Sequence, residues 1–128
     1  MSATWQTDRQ RPLVALVWSL PLVAAALEEA IDFADVRTFA ADHGDIVDLL
    51  RRLRPDAVVV DDAPAADAAS RYASTRELPV LHLSVRERVL RVLGPAGWVD
   101  ATDGADPDSG TVRNALAGAL FAGGGAEA

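Results

Sequence analysis

Two adjacent carboxylates, Asp61 and Asp62, are the side chains in this sequence that are best placed to do chemistry. They follow the run Ala57–Val60, which is apolar and rich in β-branched valine. Such a run is typical of a central parallel strand that helices cover on both faces. Ser84 stands near the end of a second apolar run, and Trp18 ends an earlier one. In open α/β sheets ligands bind at the carboxyl ends of the strands, so these side chains define one candidate crevice.

Structural roles account for the same residues. Asp61 is then a strand-end aspartate that accepts backbone hydrogen bonds in the adjoining turn, and Asp62 is a helix N-cap, a role worth about 1 kcal/mol. Ser84 caps a turn in this interpretation, and His82 is a core residue inside an apolar strand. Trp18 either plugs the crevice or lines it, and the size of an indole favours plugging.

The composition excludes several classes of site. The 128 residues include no cysteine, and all 12 basic residues are arginine, so lysine is absent too. Thiolate ligands, thiol nucleophiles, Schiff-base chemistry and a P-loop lysine are therefore excluded. A net charge of −7 argues against unaided binding to nucleic acid or anionic lipid. No histidine pairs with an acidic residue at metal-ligand spacing, so we expect no metal and no cofactor. His43 is expected at the surface.

The spacing of apolar residues predicts the strands and helices that position the two carboxylates. The pattern predicts strands at 13–18, 36–40, 57–60 and 79–85, and helices at about 19–31, 42–54 and 63–74. Ser19 is the predicted N-cap of the first helix, with Pro21 in its first turn. Asp42 with Asp45 resembles a capping box for the second helix, and Asp62 caps the third. Strands that alternate with helices at short intervals predict a parallel sheet built from βαβ units.

The pattern changes after the fourth strand. A tight turn at Arg86–Arg88 and a β-hairpin, Val89–Leu93 and Trp98–Asp100, are predicted there, and a helix over 85–93 is the alternative. The hairpin lies at the edge of the sheet with its arginines facing outward. A closing helix at 111–121 ends at three glycines, 123–125. We predict one α/β domain at 12–122 with disordered tails at 1–11 and 123–128.

Over roughly residues 13–121 the chain resembles the receiver domain of bacterial two-component response regulators. Its Pro55–Asp61 segment is similar to that family's third strand, which ends in the aspartate that accepts phosphate. Its Pro79–Ser84 segment is similar to the fourth strand, which ends in a hydroxyl residue that contacts the phosphoryl group. The resemblance implies a flavodoxin-like, doubly wound, mostly parallel sheet of order 2-1-3-4-5, here with an antiparallel edge hairpin. Asp61 then stands at the phospho-acceptor position and Ser84 at the switch hydroxyl.

The sequence departs from that family where charge is handled. The family has two acidic residues at the end of its first strand to hold Mg²⁺, and this chain has Trp18 and Ser19 there. Asp61 with Asp62 alone makes a poor magnesium site. The family's lysine after the fifth strand is absent, so the charge that develops in phosphoryl transfer has no partner. We therefore expect a degenerate, non-enzymatic receiver, with a vestigial pocket formed by Asp61, Asp62, Ser84, Trp18 and Ser19.

Such a domain acts as a regulatory module through a protein partner or its own copy. The hairpin edge is the predicted interaction surface, with Val89, Arg91, Leu93 and Trp98 as its residues, since an exposed strand pairs with another strand. Two alternatives stay open: an atypical phospho-receiver that uses Asp61, and a small-molecule or nucleotide binding domain in the crevice.

The expected location is the cytoplasm. Residues 12–27 nevertheless resemble a secretory signal, because the stretch is apolar except for Ser19, follows Arg9 and Arg11, and contains three alanines at 24–26. Pro21 splits the stretch into a strand-sized and a helix-sized piece, and it is too short for a comfortable membrane span. Whether it acts as a signal sequence stays open.

Overall fold

A computed structural model describes residues 11–42, 44–94, 96–102 and 106–127, and describes side chains as far as residue 121. Predictions for residues 1–10, His43 and residue 128 lie outside these ranges. The described residues form six strands and four helices in the order β1 (Leu13–Trp18), α1 (Pro21–Ala30), β2 (Asp35–Ala40), α2 (Ile46–Leu53), β3 (Ala57–Val60), α3 (Ala63–Ala73), β4 (Val80–Ser84), β5 (Val89–Gly94), β6 (Gly97–Asp100) and α4 (Ser109–Glu127). The predicted α/β class is confirmed.

All six strands belong to one mixed sheet of order β2-β1-β3-β4-β5-β6. The first four strands are parallel, whereas β5 pairs antiparallel with β4 and β6 antiparallel with β5. The predicted order 2-1-3-4-5 therefore needs correction, because the parallel part ends at β4. A parallel crossover requires a dozen or more residues, and the connection from β4 to β5 is only the turn Val85–Arg88. The hairpin alternative, rather than a helix over 85–93, is the observed structure.

Helices cover both faces of the parallel strands. On one face α1 and α4 pack through Leu27, Ile31, Val112 and Leu116. On the other face α2 and α3 pack through Ile46, Leu50, Tyr72 and several alanines. All four residues of β3 are completely buried, which is why its sequence shows a continuous apolar run instead of an alternation.

Two of the predicted helix caps are wrong and one is confirmed. The N-cap of α1 is Leu20, which provides no side-chain bond, and not Ser19. The N-cap of α2 is Asp45, whose carboxylate accepts a bond from the N–H of Asp48, and not Asp42. Asp62 caps α3 as predicted, accepting from the N–H of Ala65. Asx and Ser residues at neighbouring positions offer equivalent local signals, so the sequence alone does not select among them.

The closing helix is longer than predicted. It begins at Ser109 and its bounds include the glycines at 123–125, which were expected to end it. Asp108 precedes it and accepts hydrogen bonds from the backbone N–H of Thr111 at 2.8 Å and from the Thr111 hydroxyl at 3.0 Å. The disorder predicted for the two tails stays a prediction.

Candidate functional site

Asp61 lies at the carboxyl end of β3, and both oxygens of its carboxylate accept hydrogen bonds from the neighbouring β1–α1 turn. The Oδ1 atom accepts hydrogen bonds from the backbone N–H of Ser19 at 2.6 Å and from its hydroxyl at 3.1 Å. The Oδ2 atom accepts from the backbone N–H of Leu20 at 3.1 Å. Only 8% of Asp61 is exposed, and it is the one buried charged residue in the described part of the chain.

This arrangement explains how α1 begins without a capping side chain of its own. The first N–H groups of a helix lack intrahelical partners and concentrate partial positive charge. Leu20 provides no side-chain oxygen, so Asp61 satisfies the donors at the approach to α1 from a distance of 41 and 42 residues in sequence. Asp61 is therefore a cap supplied by another strand. The structural role predicted for it is present, but its donors come from the turn after β1 and not from the turn after β3.

The other members of the predicted pocket also have local structural partners. The Oδ2 atom of Asp62 accepts from the N–H of Ala65 at 3.1 Å, as a helix N-cap does. The Ser84 hydroxyl accepts from the N–H of Glu87 at 3.2 Å and so closes the turn that leads into β5. Trp18 is half-buried and packs against the core beneath α1 and α4. The sheet brings these residues to one edge, and each has a bond or contact that accounts for it.

Beyond β4 the face of the sheet beneath α2 and α3 carries polar side chains. His82, Arg91 and Asp100 are direct cross-strand neighbours in one row. Arg91 also forms an ion pair with Glu87 at 2.9 Å. The imidazole of His82 meets the Trp98 ring edge to face, with 6.1 Å between ring centroids. His82 is thus half-buried in a polar row instead of being a core residue, which only the β4–β5 pairing reveals.

Burial lowers the pKa of His82 below its ordinary value near 6.5, and the positive charge of Arg91 lowers it further. The carboxylates of Glu87, Asp61 and Asp62 act in the opposite direction without cancelling these two effects. The neutral imidazole is therefore favoured at neutral pH.

Of the four residues predicted for the interaction edge, only Trp98 is exposed to solvent. Val89 is only 8% exposed, so it belongs to the core and not to an interaction surface. Arg91 and Leu93 are half-buried. The edge strand is β6, where Trp98 is 36% and Val99 58% exposed. The sequence analysis did not name Val99 as an interaction residue. Its position in the last strand before a polar loop is a signal that would have predicted its exposure.

Among the described residues, no three histidine or acidic side chains converge as ligands for a metal ion. A search of the described residues also finds no helix of sufficient length and apolarity to cross a membrane.

Comparisons with protein-family models, with curated proteins and with solved structures give no match to this chain.

Proposed function

We propose that this chain is a non-enzymatic regulatory module of the degenerate receiver type, which works by binding a protein partner in the cytoplasm. The proposal includes a flavodoxin-like origin for the parallel strands β2-β1-β3-β4, with the β5–β6 hairpin replacing the rest of that frame. The observation that carries it is the engagement of the buried Asp61, whose two carboxylate oxygens both accept hydrogen bonds from the β1–α1 turn.

A phospho-acceptor needs a carboxylate oxygen that is free to attack phosphorus in line with the leaving group. Oδ1 of Asp61 accepts two hydrogen bonds and Oδ2 accepts one, so three of the about four lone-pair sites of the carboxylate are already used by the β1–α1 turn. Three hydrogen bonds also withdraw charge from the nucleophile. In addition, no lysine exists to balance the charge on a transferred phosphoryl group. Asp61 is therefore better suited to holding the turn than to accepting phosphate.

Partner binding is supported by the free edge of the sheet. One side of β6 has no neighbouring strand among the described residues, and Trp98 and Val99 expose apolar surface there. Such an edge pairs readily with an extended segment of another protein or with its own copy, because main-chain groups provide the hydrogen bonds. Tryptophan is also among the residues that contribute most binding energy at interfaces.

The decisive experiment is incubation of the full chain with acetyl phosphate and Mg²⁺, followed by intact mass measurement. We expect no phosphoryl adduct on the wild-type chain. A phosphoryl adduct that disappears in Asp61→Ala would overturn the proposal in favour of an atypical phospho-receiver. A receiver domain known to accept phosphate from the same donor is the positive control.

The surface is tested separately by sedimentation velocity over a range of protein concentrations. If the partner is a second copy, the wild-type chain will associate and Val99→Lys, which adds a charge to the edge strand, will reduce association. Leu22→Lys is the matched control, because Leu22 is 86% exposed and lies on α1 away from the hairpin. Equal association of all three chains would exclude β6 as the contact between copies.

A further inference from the structure

A cleft of about 440 Å³ opens at the edge of the sheet opposite to Asp61, where the parallel strands begin. This volume lies within the range of small-molecule sites, about 300–1,000 Å³. Its apolar wall is formed by Pro55, Leu78, Pro79, Ala119 and Leu120. Charged side chains line the rest of it. The cleft is independent of the hairpin and of the function proposed above.

One polar group in the cleft has no partner. Tyr72 lines the cleft and is 95% buried, being only 5% exposed. No described residue hydrogen-bonds to its hydroxyl. Among the described residues every fully buried side-chain oxygen or nitrogen has a partner, so the hydroxyl must reach solvent, and the cleft is where Tyr72 does so. The ring of Tyr72 is therefore fixed by packing, while its hydroxyl has no protein partner and is available to a ligand in the cleft.

The four charged residues that line the cleft do not neutralise one another. Arg54, Arg76, Asp56 and Glu77 form no ion pair with each other or with any other described residue. The guanidinium of Arg76 lies over the Tyr72 ring, 5.1 Å from its centroid. Asp56 uses only Oδ2, which accepts from the N–H of Leu13 at 2.8 Å. All four residues are exposed to water, so two cations and two anions face one cleft and are free to pair with a ligand.

We infer that the cleft binds the zwitterion of an α-amino acid with an apolar side chain. The carboxylate of the ligand is matched by Arg54 and Arg76, whose guanidinium groups suit oxyanions. The ammonium group is matched by Asp56 and Glu77. The C-terminal ends of α2 and α3 lie at this edge of the sheet, and their partial negative charge is offset by Arg54 at the end of α2 and by Arg76 beyond the end of α3.

The remaining lining is matched by the rest of the ligand. The wall of proline, leucine and alanine takes the apolar side chain, and the Tyr72 hydroxyl donates to the carboxylate. A simple anion or a simple cation would leave one pair of charges without a partner. A ligand with both charges can pair with all four of these exposed residues.

The test is a titration of the full, ¹⁵N-labelled chain with L-leucine, followed by two-dimensional NMR. Two analogues delete one charge each: 4-methylpentanoate lacks the amino group and 3-methylbutylamine lacks the carboxylate. We expect saturable shifts of the amide signals of residues 54, 56 and 72–78 with leucine. Each analogue should bind about tenfold or more weakly, because each loses its charge-assisted hydrogen bonds. L-phenylalanine, which has a larger apolar side chain, is titrated as a second zwitterion.

Three variants separate binding from folding. Arg76→Gln and Tyr72→Phe should weaken leucine binding, the second while keeping the buried ring. Arg54→Gly should also weaken it, yet raise the melting temperature, because Arg54 has φ 54° at the end of α2 and glycine adopts that conformation more readily. Arg71→Gln is the control, since Arg71 lies on α3 next to Tyr72 in sequence but does not line the cleft, and it pairs with Asp67.

Any of three results would overturn the inference. The first is no saturable shift with leucine or phenylalanine, which would mean that the cleft charges are only solvated. The second is equal binding of the two analogues and leucine. The third is leucine binding that Arg76→Gln and Arg71→Gln change to the same degree. None of these results bears on the role of Asp61 or β6, so failure here is distinct from failure of the proposed function.

Discussion

Replacing Asp61 with alanine tests whether its carboxylate holds the fold together. The change removes the acceptor of three hydrogen bonds and leaves the N–H groups of Ser19 and Leu20 without their partner at the start of α1. Hydrogen bonds to charged groups contribute about 1.5–3 kcal/mol each, but bonds to one carboxylate are not additive. With Asp61 only 8% exposed, we expect the free energy of unfolding to fall by about 3 kcal/mol.

Asp62→Ala is the matched control. It removes the same charge from the next position in the sequence, and it loses a single cap bond, to the N–H of Ala65 at 3.1 Å. A cap contributes about 1 kcal/mol, so the two variants should differ by about 2 kcal/mol. Because both change the net charge equally, this difference reports the local hydrogen bonds and not the overall charge.

Urea unfolding at neutral pH, followed by circular dichroism and tryptophan fluorescence, measures both values. With a urea dependence of about 2 kcal/mol per molar, Asp61→Ala should unfold at a midpoint about 1.5 M lower than wild type. A loss below about 1 kcal/mol, or a loss no larger than that of Asp62→Ala, would refute the structural role. An increase in stability would indicate instead that Asp61 is kept for function at a cost to the fold.

Two further predictions concern titrating groups. Because the pKa of folded His82 lies below 6.5, the unfolded chain binds the proton first, so stability should fall as pH drops through 6.5 towards the lower folded value and then level off. His82→Gln should reduce this fall in urea unfolding between about pH 5 and about pH 8, and an unchanged pH profile would contradict the assignment. Hydrogen bonds from the backbone N–H and the hydroxyl of Thr111 lower the pKa of Asp108 below 3.8, so its carboxylate stabilises the start of α4 above that pH and ceases to do so as pH falls through the folded pKa. Asp108→Ala should therefore speed amide hydrogen exchange at 109–112 at neutral pH, and unaltered exchange there would count against the cap.

The strands and helices could be predicted because their signals are local. The buried run Ala57–Val60 and the strand Leu13–Trp18 have the bounds expected from sequence. The hairpin followed from a short polar turn and a Gly-rich turn around two apolar runs. Helix caps were harder to predict, because the sequence does not reveal which oxygen binds which N–H. The bonds from the N–H groups of Ser19 and Leu20 to Asp61 appear only in the tertiary structure.

The partners of Asp61 could not be predicted from a pattern with a period of two or 3.6 residues. They depend on β1 and β3 lying side by side, which brings Ser19 to a residue 42 positions later. The row of His82 and Arg91 depends in the same way on the register between β4 and β5. The cleft at Tyr72 adds α4, a helix far along the chain, to residues of α2 and α3.

The sequence by itself therefore determined where strands and helices form, which of their faces are apolar, and that two carboxylates stand at the end of a buried strand. Only the tertiary structure decided what those carboxylates do, because the N–H groups that Asp61 binds come from a different strand. Local periodicity specifies which face of an element is buried, whereas the identity of the atoms that meet across a sheet is set by strand order and register.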